Sequence, residues 1–379
     1  MAGRQVPSLP PDTVSTEHWH ALDDGRVQCD LCPRGCRLRG GQRGMCFVRM
    51  NRGGRVVLTT WGRSSGFCVD PVEKKPLNHF LPGTPVLSFG TAGCNLTCSY
   101  CQNWEISKSR EIDTLADRAP PETIARAAQE LGCRSVAYTY NDPVVFHEYA
   151  IDVARACRKR GIRSVAVTAG YVCPEPRVEF YRHMDACNLD VKSFRPEFYR
   201  KVSAAELEPV LDTARYVAAE TDVWLEITTL VVPGLNDSET ELDQLTGWVV
   251  SELGPDVPMH FSAFHPDYRM KDRPHTPPEA LAGARRIALR NGVRYAYTGN
   301  VHDKDGQSTW CHHCGELLIG RNWYVLSEWN LDAGGRCGSC GTPSAGVFEA
   351  APGTWGARRK PVRLGGFRSR ESVLPGAEE

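Results

Sequence analysis

Between Pro85 and Asn300 the sequence repeats one unit, a short β-branched or apolar run followed by a stretch of helical character. The runs are PVLSFGT (85–91), SVAYTYN (135–141), SVAVTAG (164–170), ACNLDVKS (186–193), VWLEITTLVV (223–232), PMHFSAF (258–264) and RYAYTGN (294–300). Between them, PPETIARAAQELG opens with proline and stops at Gly132, and VVFHEYAIDVARACRKRG stops at Gly161. Proline at the start and glycine at the end are the termini that helices prefer. Repeated strand–helix units predict a parallel α/β architecture, although periodicity alone does not separate an open doubly wound sheet from a barrel.

The placing of the polar residues favours the barrel. A cysteine loop follows the first run, Asn141 and Asp142 the second, Thr168 and Gly170 the third. Asp190 and Lys192, Thr228 and Thr229, His265, and Asn300 and His302 follow the next four. Sites assembled from the carboxyl ends of many strands are the habit of β/α barrels. We therefore expect an α/β chain with a partial or full (β/α) barrel over 83–303. A flexible start (1–22) and a cysteine-rich segment (23–82) precede it. A small module (304–350) and a disordered basic tail (351–379) follow, the tail carrying six Lys or Arg against three Glu.

Lys plus Arg equals Asp plus Glu at 45 each, so no global field draws in nucleic acid or an anionic membrane. No uncharged run is apolar enough to span a bilayer, and MAGRQVPSLPPD has no hydrophobic signal region. A cytoplasmic location is expected, where thiols stay reduced. The sixteen cysteines then point to metals.

Eleven of them fall into three groups: Cys29, Cys32, Cys36 and Cys46; Cys94, Cys98 and Cys101; Cys311, Cys314, Cys337 and Cys340. The other five, Cys68, Cys133, Cys157, Cys173 and Cys187, are isolated and read as small buried hydrophobes. The last group forms two C-x2-C-G knuckles 22 residues apart. That pattern suits a zinc ribbon or a rubredoxin-like iron site, with His312 and His313 as spectators. A module of about 40 residues hardly builds a core, so the metal would hold its fold. The first group fits zinc or an auxiliary iron–sulfur cluster, and its spacing does not choose. Arg34, Arg37, Arg39, Arg43 and Arg49 surround it, to offset thiolate charge or to contact an anionic substrate.

The middle group is the unusual one. A structural zinc takes four ligands and an ordinary cubane four thiolates, one per iron. Three thiolates leave one iron open to a substrate or cosubstrate.

CNLTCSYC, on a loop after the first strand and with Tyr100 before its last cysteine, resembles the C-x3-C-x2-C motif of the radical S-adenosylmethionine (radical SAM) superfamily. The resemblance implies a four-iron four-sulfur (4Fe-4S) cluster on Cys94, Cys98 and Cys101. Its open iron would chelate S-adenosylmethionine, which a cluster electron cleaves to a 5′-deoxyadenosyl radical that abstracts hydrogen. Asn141 and Asp142 stand where such enzymes carry a Gly-Gly-Glu-like element that meets the methionine amino group; a strand-ending turn is the alternative. LDVK resembles the Asp-x-Lys of the pyruvate formate-lyase activating enzyme group, implying that Asp190 and Lys192 line the cosubstrate pocket, the alternative being an internal ion pair. His265 in FSAFHP resembles that group's strand-end histidine, and Thr168 shares the same rim.

Taken together, CDLCPRGCRLRGGQRGMCFVR, DPVEKKPLNHFLPG, GTAGCNLTCSYCQNWEIS, YNDPVVFHEYA, VVPGLND, FSAFHPDYRM and YTGNVH resemble the AmmeMemoRadiSam-system radical SAM proteins, from about residue 25 to residue 350. Two positions depart from that pattern: Asp142 stands for the usual Glu, and Ala169 for the usual Asn. The resemblance implies a flavodoxin, ferredoxin or reductase as electron donor, and Memo-like and AMMECR-type pathway partners. It implies a substrate that is a small molecule, peptide or RNA. Activation of a glycyl-radical enzyme is the alternative, and a non-catalytic metal-binding scaffold a third of another class.

Overall fold

The computed structural model describes residues 9–108 and 117–367. All seven runs are strands. In chain order they are β2 (Pro85–Gly90), β3 (Ser135–Tyr138), β4 (Arg163–Thr168), β5 (Ala186–Asp190), β6 (Trp224–Val231), β7 (Met259–Ala263) and β8 (Ala296–Gly299), with β1 (Arg63–Pro71) ahead of them. Each of the seven pairs in parallel with the next. Ser135 to Tyr138 are buried on both faces, which is why this run is nearly continuous in apolar residues instead of alternating.

β1 joins β2 antiparallel and so cannot extend the parallel series; among the described residues no pairing links the two ends of the sheet. The helices that cover it begin and end as the sequence predicts. Pro121–Glu130 starts on proline and buries Ile124, Ala125, Ala127 and Ala128, and His147–Arg158 ends three residues before Gly161. Removing a side chain the size of Ile124 from water stabilises by roughly 1.5–3 kcal/mol. No helix among the described residues is long and apolar enough to cross a membrane.

Three boundaries differ from expectation. Residues 9–22 are ordered: Val14–Ser15 pairs with Arg55–Leu58, and Trp19–Ala21 with Val27–Cys29. The break at 82/83 cuts through the main sheet, because β1 belongs to the cysteine-rich segment yet pairs with β2. The tail is docked over its first part: β11 (Lys360–Pro361) pairs with β1, and Leu364 is buried. An edge strand offers unpaired backbone groups and Leu364 an apolar side chain, which together outweigh the tail's polar composition. Residues 368–379 of the expected tail lie outside the described residues.

The C-terminal module is a three-stranded antiparallel sheet of Thr309–Trp310, β9 (Leu317–Asn322) and β10 (Val325–Trp329). It is stitched to the segment after β1, where Val347 N donates to the His79 carbonyl at 2.7 Å and His79 Nδ1 meets the Ala345 carbonyl at 2.6 Å.

Candidate active site

The carboxyl ends of the strands open into one cavity of about 420 Å³. Cys94, Cys98, Cys101 and Tyr100 form part of its wall. Their loop is held from several sides. Thr91 N donates to Asn141 Oδ1 (2.9 Å), and Asn141 Nδ2 donates to the Gly93 carbonyl (2.7 Å). Lys108 Nζ reaches the Leu96 carbonyl (2.7 Å), and Thr97 and Ser99 donate backbone bonds to Ser203 and Val202. Burial, and then the nearby charge of Asp142, push the free Cys94 thiol up to about 12, so a thiolate there calls for a bound metal.

The three thiols face one space but do not lie within 4.8 Å of one another, unlike ligands crowded around a single ion. That spread fits a cluster whose sulfurs each meet a different iron.

Asp142, buried, stands beside Cys94. It accepts from Thr168 Oγ1 (3.0 Å), Ala169 N (2.9 Å) and Val144 N (3.0 Å). Asn141 and Asp142 thus line the cavity while their polar atoms tie neighbouring loops together, the part a strand-ending turn plays. Burial raises the Asp142 carboxyl above its ordinary range, its three donors working against the shift.

Asp190 and Lys192 stand on the same wall as an ion pair of 3.0 Å. Burial opposes the Lys192 charge, but the Asp190 carboxylate outweighs it and holds the ammonium well above its ordinary value. His265 is placed elsewhere. β7 ends at Ala263, the chain turns outward, and the exposed His265 ring packs near His275, off the cavity wall.

Several lining residues were not anticipated. DPVEKKPLNHF brings Asp70, Glu73, Lys75 and Asn78 to the cavity. Lys75 Nζ pairs with Asp70 at 2.7 Å, both buried. Glu73 accepts from Gly83 N at 2.6 Å while its second oxygen has no hydrogen-bond partner among the described residues, and burial raises its pKa. At the floor, Glu226 accepts from His260 Nε2 (2.6 Å), Asn78 N and His79 N. Burial would raise this carboxyl, but the His260 bond outweighs it. The density of charge in the short run 70–79 was the available signal.

The far wall comes from the C-terminal module. Arg321 on β9, buried, donates to the Asn78 carbonyl at 2.8 Å and to Thr309 Oγ1 at 2.7 Å, and Trp323 and Tyr324 join it. On the module's outer side, Cys311 and Cys340 stand 3.7 Å apart, as do Cys314 and Cys337, and all four thiols lie within 4.8 Å of one another. His312 bonds Tyr295 OH at 3.2 Å, outside this group. Of the five isolated cysteines, Cys68, Cys133, Cys157 and Cys187 are buried and Cys173 is half-buried.

The Radical SAM superfamily model matches residues 89–245, which include the three-cysteine loop. The chain is 40% identical over 324 residues to protein MJ0808 of Methanocaldococcus jannaschii, covering 85% of this chain and 96% of that one. It is 26% identical over 170 residues to pyruvate formate-lyase 1-activating enzyme of Escherichia coli strain K12, covering 43% of this chain and 68% of the enzyme. A solved domain of the pyruvate-formate lyase-activating enzyme from Bacteroides vulgatus matches with a TM-score of 0.39 and 20% identity, over 44% of this chain and 98% of the domain. A loop carrying Cys94, Cys98 and Cys101 at the mouth of a parallel α/β sheet, together with the superfamily model's match over 89–245 and the 40% identity to MJ0808, places the chain in the radical SAM superfamily.

Proposed function

We propose that this chain cleaves S-adenosylmethionine reductively and takes hydrogen from a substrate held between the strand ends and the C-terminal module. The observation that carries the reading is that Cys94, Cys98 and Cys101 line one cavity together with Asp190, Lys192, Arg321, Trp323 and Tyr324. A 4Fe-4S cluster on the three thiols would supply one electron and an open iron for the cosubstrate. The chain's own residues do the rest. Lys192, held charged by Asp190, offers a cation to an anionic group of the cosubstrate. Tyr100 and the ends of β3 to β8 exclude water. Glu73 and Arg321 supply a carboxyl and a guanidinium to the substrate side.

The cavity has the size of a small-molecule site, which favours a small molecule, or a short stretch of peptide or RNA. The motif order supports a place in the AmmeMemoRadiSam system, beside Memo-like and AMMECR-type proteins, with a flavodoxin, ferredoxin or reductase supplying electrons. The closed group of Cys311, Cys314, Cys337 and Cys340 suits a structural zinc, since four thiolates at 2.3 Å from one ion stand about 3.8 Å apart, the spacing found here. A second reading, activation of a glycyl-radical enzyme, is favoured by the similarity to pyruvate formate-lyase 1-activating enzyme.

The test is anaerobic reconstitution followed by dithionite and S-adenosylmethionine, with Cys94→Ala, Cys98→Ala, Cys101→Ala as control. 5′-Deoxyadenosine from the wild type alone supports the reading. None from a fully loaded, reduced wild type, with or without extract from a related organism, sinks it. A glycyl-radical doublet on a large partner polypeptide would select the second reading.

A further inference from the structure

Two groups of four cysteines occur in this chain, and their thiols are spaced differently. Those of the C-terminal module converge to the edge length of a single-ion tetrahedron. Cys29, Cys32, Cys36 and Cys46 line one cavity, but no three of their thiols lie within 4.8 Å of one another. The thiols of Cys94, Cys98 and Cys101 do not converge within 4.8 Å either. On this criterion the N-terminal four group with the cluster loop and not with the single-ion site of the C-terminal module.

We infer that Cys29, Cys32, Cys36 and Cys46 bind a second iron–sulfur cluster, ligated by four thiolates, directly behind the three-cysteine loop. The backbone of this segment is built to present the thiols. Val27–Cys29 is a strand, Cys29 N donates to the Cys36 carbonyl at 2.9 Å, and Gly35 N closes a turn on Cys32 at 3.1 Å. Gly44 N bonds the Arg49 carbonyl at 2.8 Å, which brings Cys46 back to the other three. All four cysteines are free.

The charges around the site agree. A cluster on four thiolates is anionic, and Arg34 and Arg49 both line the cavity. Arg49 is neutralised by Glu148 at 2.6 Å. The Arg34 guanidinium donates to the carbonyls of Asn95 and Ala204 and meets no carboxylate among the described residues. Arg34 and Arg49 thus both place positive charge beside the four thiols.

Position adds the last argument. Asn95, next to Cys94, also lines this cavity, and the Cys46 carbonyl packs on Gly93. The two sites share a wall, and a closed ligand set leaves the second cluster no open iron for a substrate. The inference extends the proposed function but does not need it, since thiol spacing and charge carry it.

The experiment uses the full chain with Cys94→Ala, Cys98→Ala and Cys101→Ala, reconstituted anaerobically with ferrous iron and sulfide. The expected result is about two to four iron with matching sulfide per chain, alongside about one zinc. Dithionite should develop an electron paramagnetic resonance signal that S-adenosylmethionine does not alter. Adding Cys32→Ala and Cys36→Ala should abolish the iron and leave the zinc. Two zinc and no iron would overturn the inference, as would one zinc and no iron. Should the triple variant fail to fold, wild-type iron decides: about six to eight per chain supports the second cluster, about four overturns it. Iron retained by the triple variant while the wild type makes no 5′-deoxyadenosine would sink the proposed function and leave this inference standing.

Discussion

The carbonyl oxygen of Cys46 occupies the space that a side chain on Gly93 would need. Gly93 also has φ of +78°, in the left-handed region. Gly93→Ala therefore meets backbone strain of about 1–2 kcal/mol and an overlap with main-chain atoms that cannot rotate away. The expected outcome is a fall in thermal midpoint of roughly 5 °C or more with reduced iron loading of the three-cysteine loop. Wild-type values of both would show that the two segments are not packed as described.

Asn141 should matter as a clamp. Its amide satisfies Thr91 N and the Gly93 carbonyl, both buried beside the cluster loop. Asn141→Ala leaves both unpaired, at about 1–3 kcal/mol each. Asn141→Asp keeps the acceptor and loses the donor, so iron retention should rank wild type, then Asp, then Ala. An Ala variant that holds its cluster as long as the wild type on exposure to a chelator would remove the clamp role.

The Arg49–Glu148 pair sets an acid limit. Burial would raise the Glu148 carboxyl, but the Arg49 charge outweighs it and lowers the pKa to about 2. Because the folded value lies below the unfolded one, the pair's stabilisation is complete above about pH 4.5 and is lost as pH falls toward 2. Urea melts between pH 6 and pH 3 should show most of this loss, about 2 kcal/mol, and Glu148→Gln should flatten that part of the profile. Glu148→Gln should also lower stability at pH 7, since it leaves Arg49 buried without its counter-charge. Parallel pH profiles for the two proteins would count against the pair.

The C-terminal module should affect the chemistry as well as the fold. Arg321 bridges it to Asn78 at the cavity. Cys314→Ser with Cys340→Ser should release the metal, loosen β9 and lower 5′-deoxyadenosine formation. Arg321→Lys should keep the metal and still slow the reaction, by roughly tenfold, or about 1.4 kcal/mol, because a lysine cannot make the same set of donor contacts. A metal-free module with an unchanged rate would make it an appendage.

What the sequence determined by itself was whatever depends on near neighbours. Strand runs, helix ends, the three-cysteine loop and the paired knuckles are patterns a few residues long, and all of them lie where local spacing predicts. The rim residues Asp190, Lys192 and Thr168 were legible for the same reason, since Thr168 and Asp190 end their strands and Lys192 lies two residues beyond. Tertiary structure alone decided which distant segments share a wall. Glu73, Lys75 and Arg321 reach the cavity through chain reversals that no local period records, and His265 leaves it because the chain turns after Ala263. The docking of Leu364 and the thiol spacing at Cys29, Cys32, Cys36 and Cys46 are likewise set by packing between remote residues. Local pattern reflects backbone preference, whereas proximity across the fold follows from burying one core as a whole.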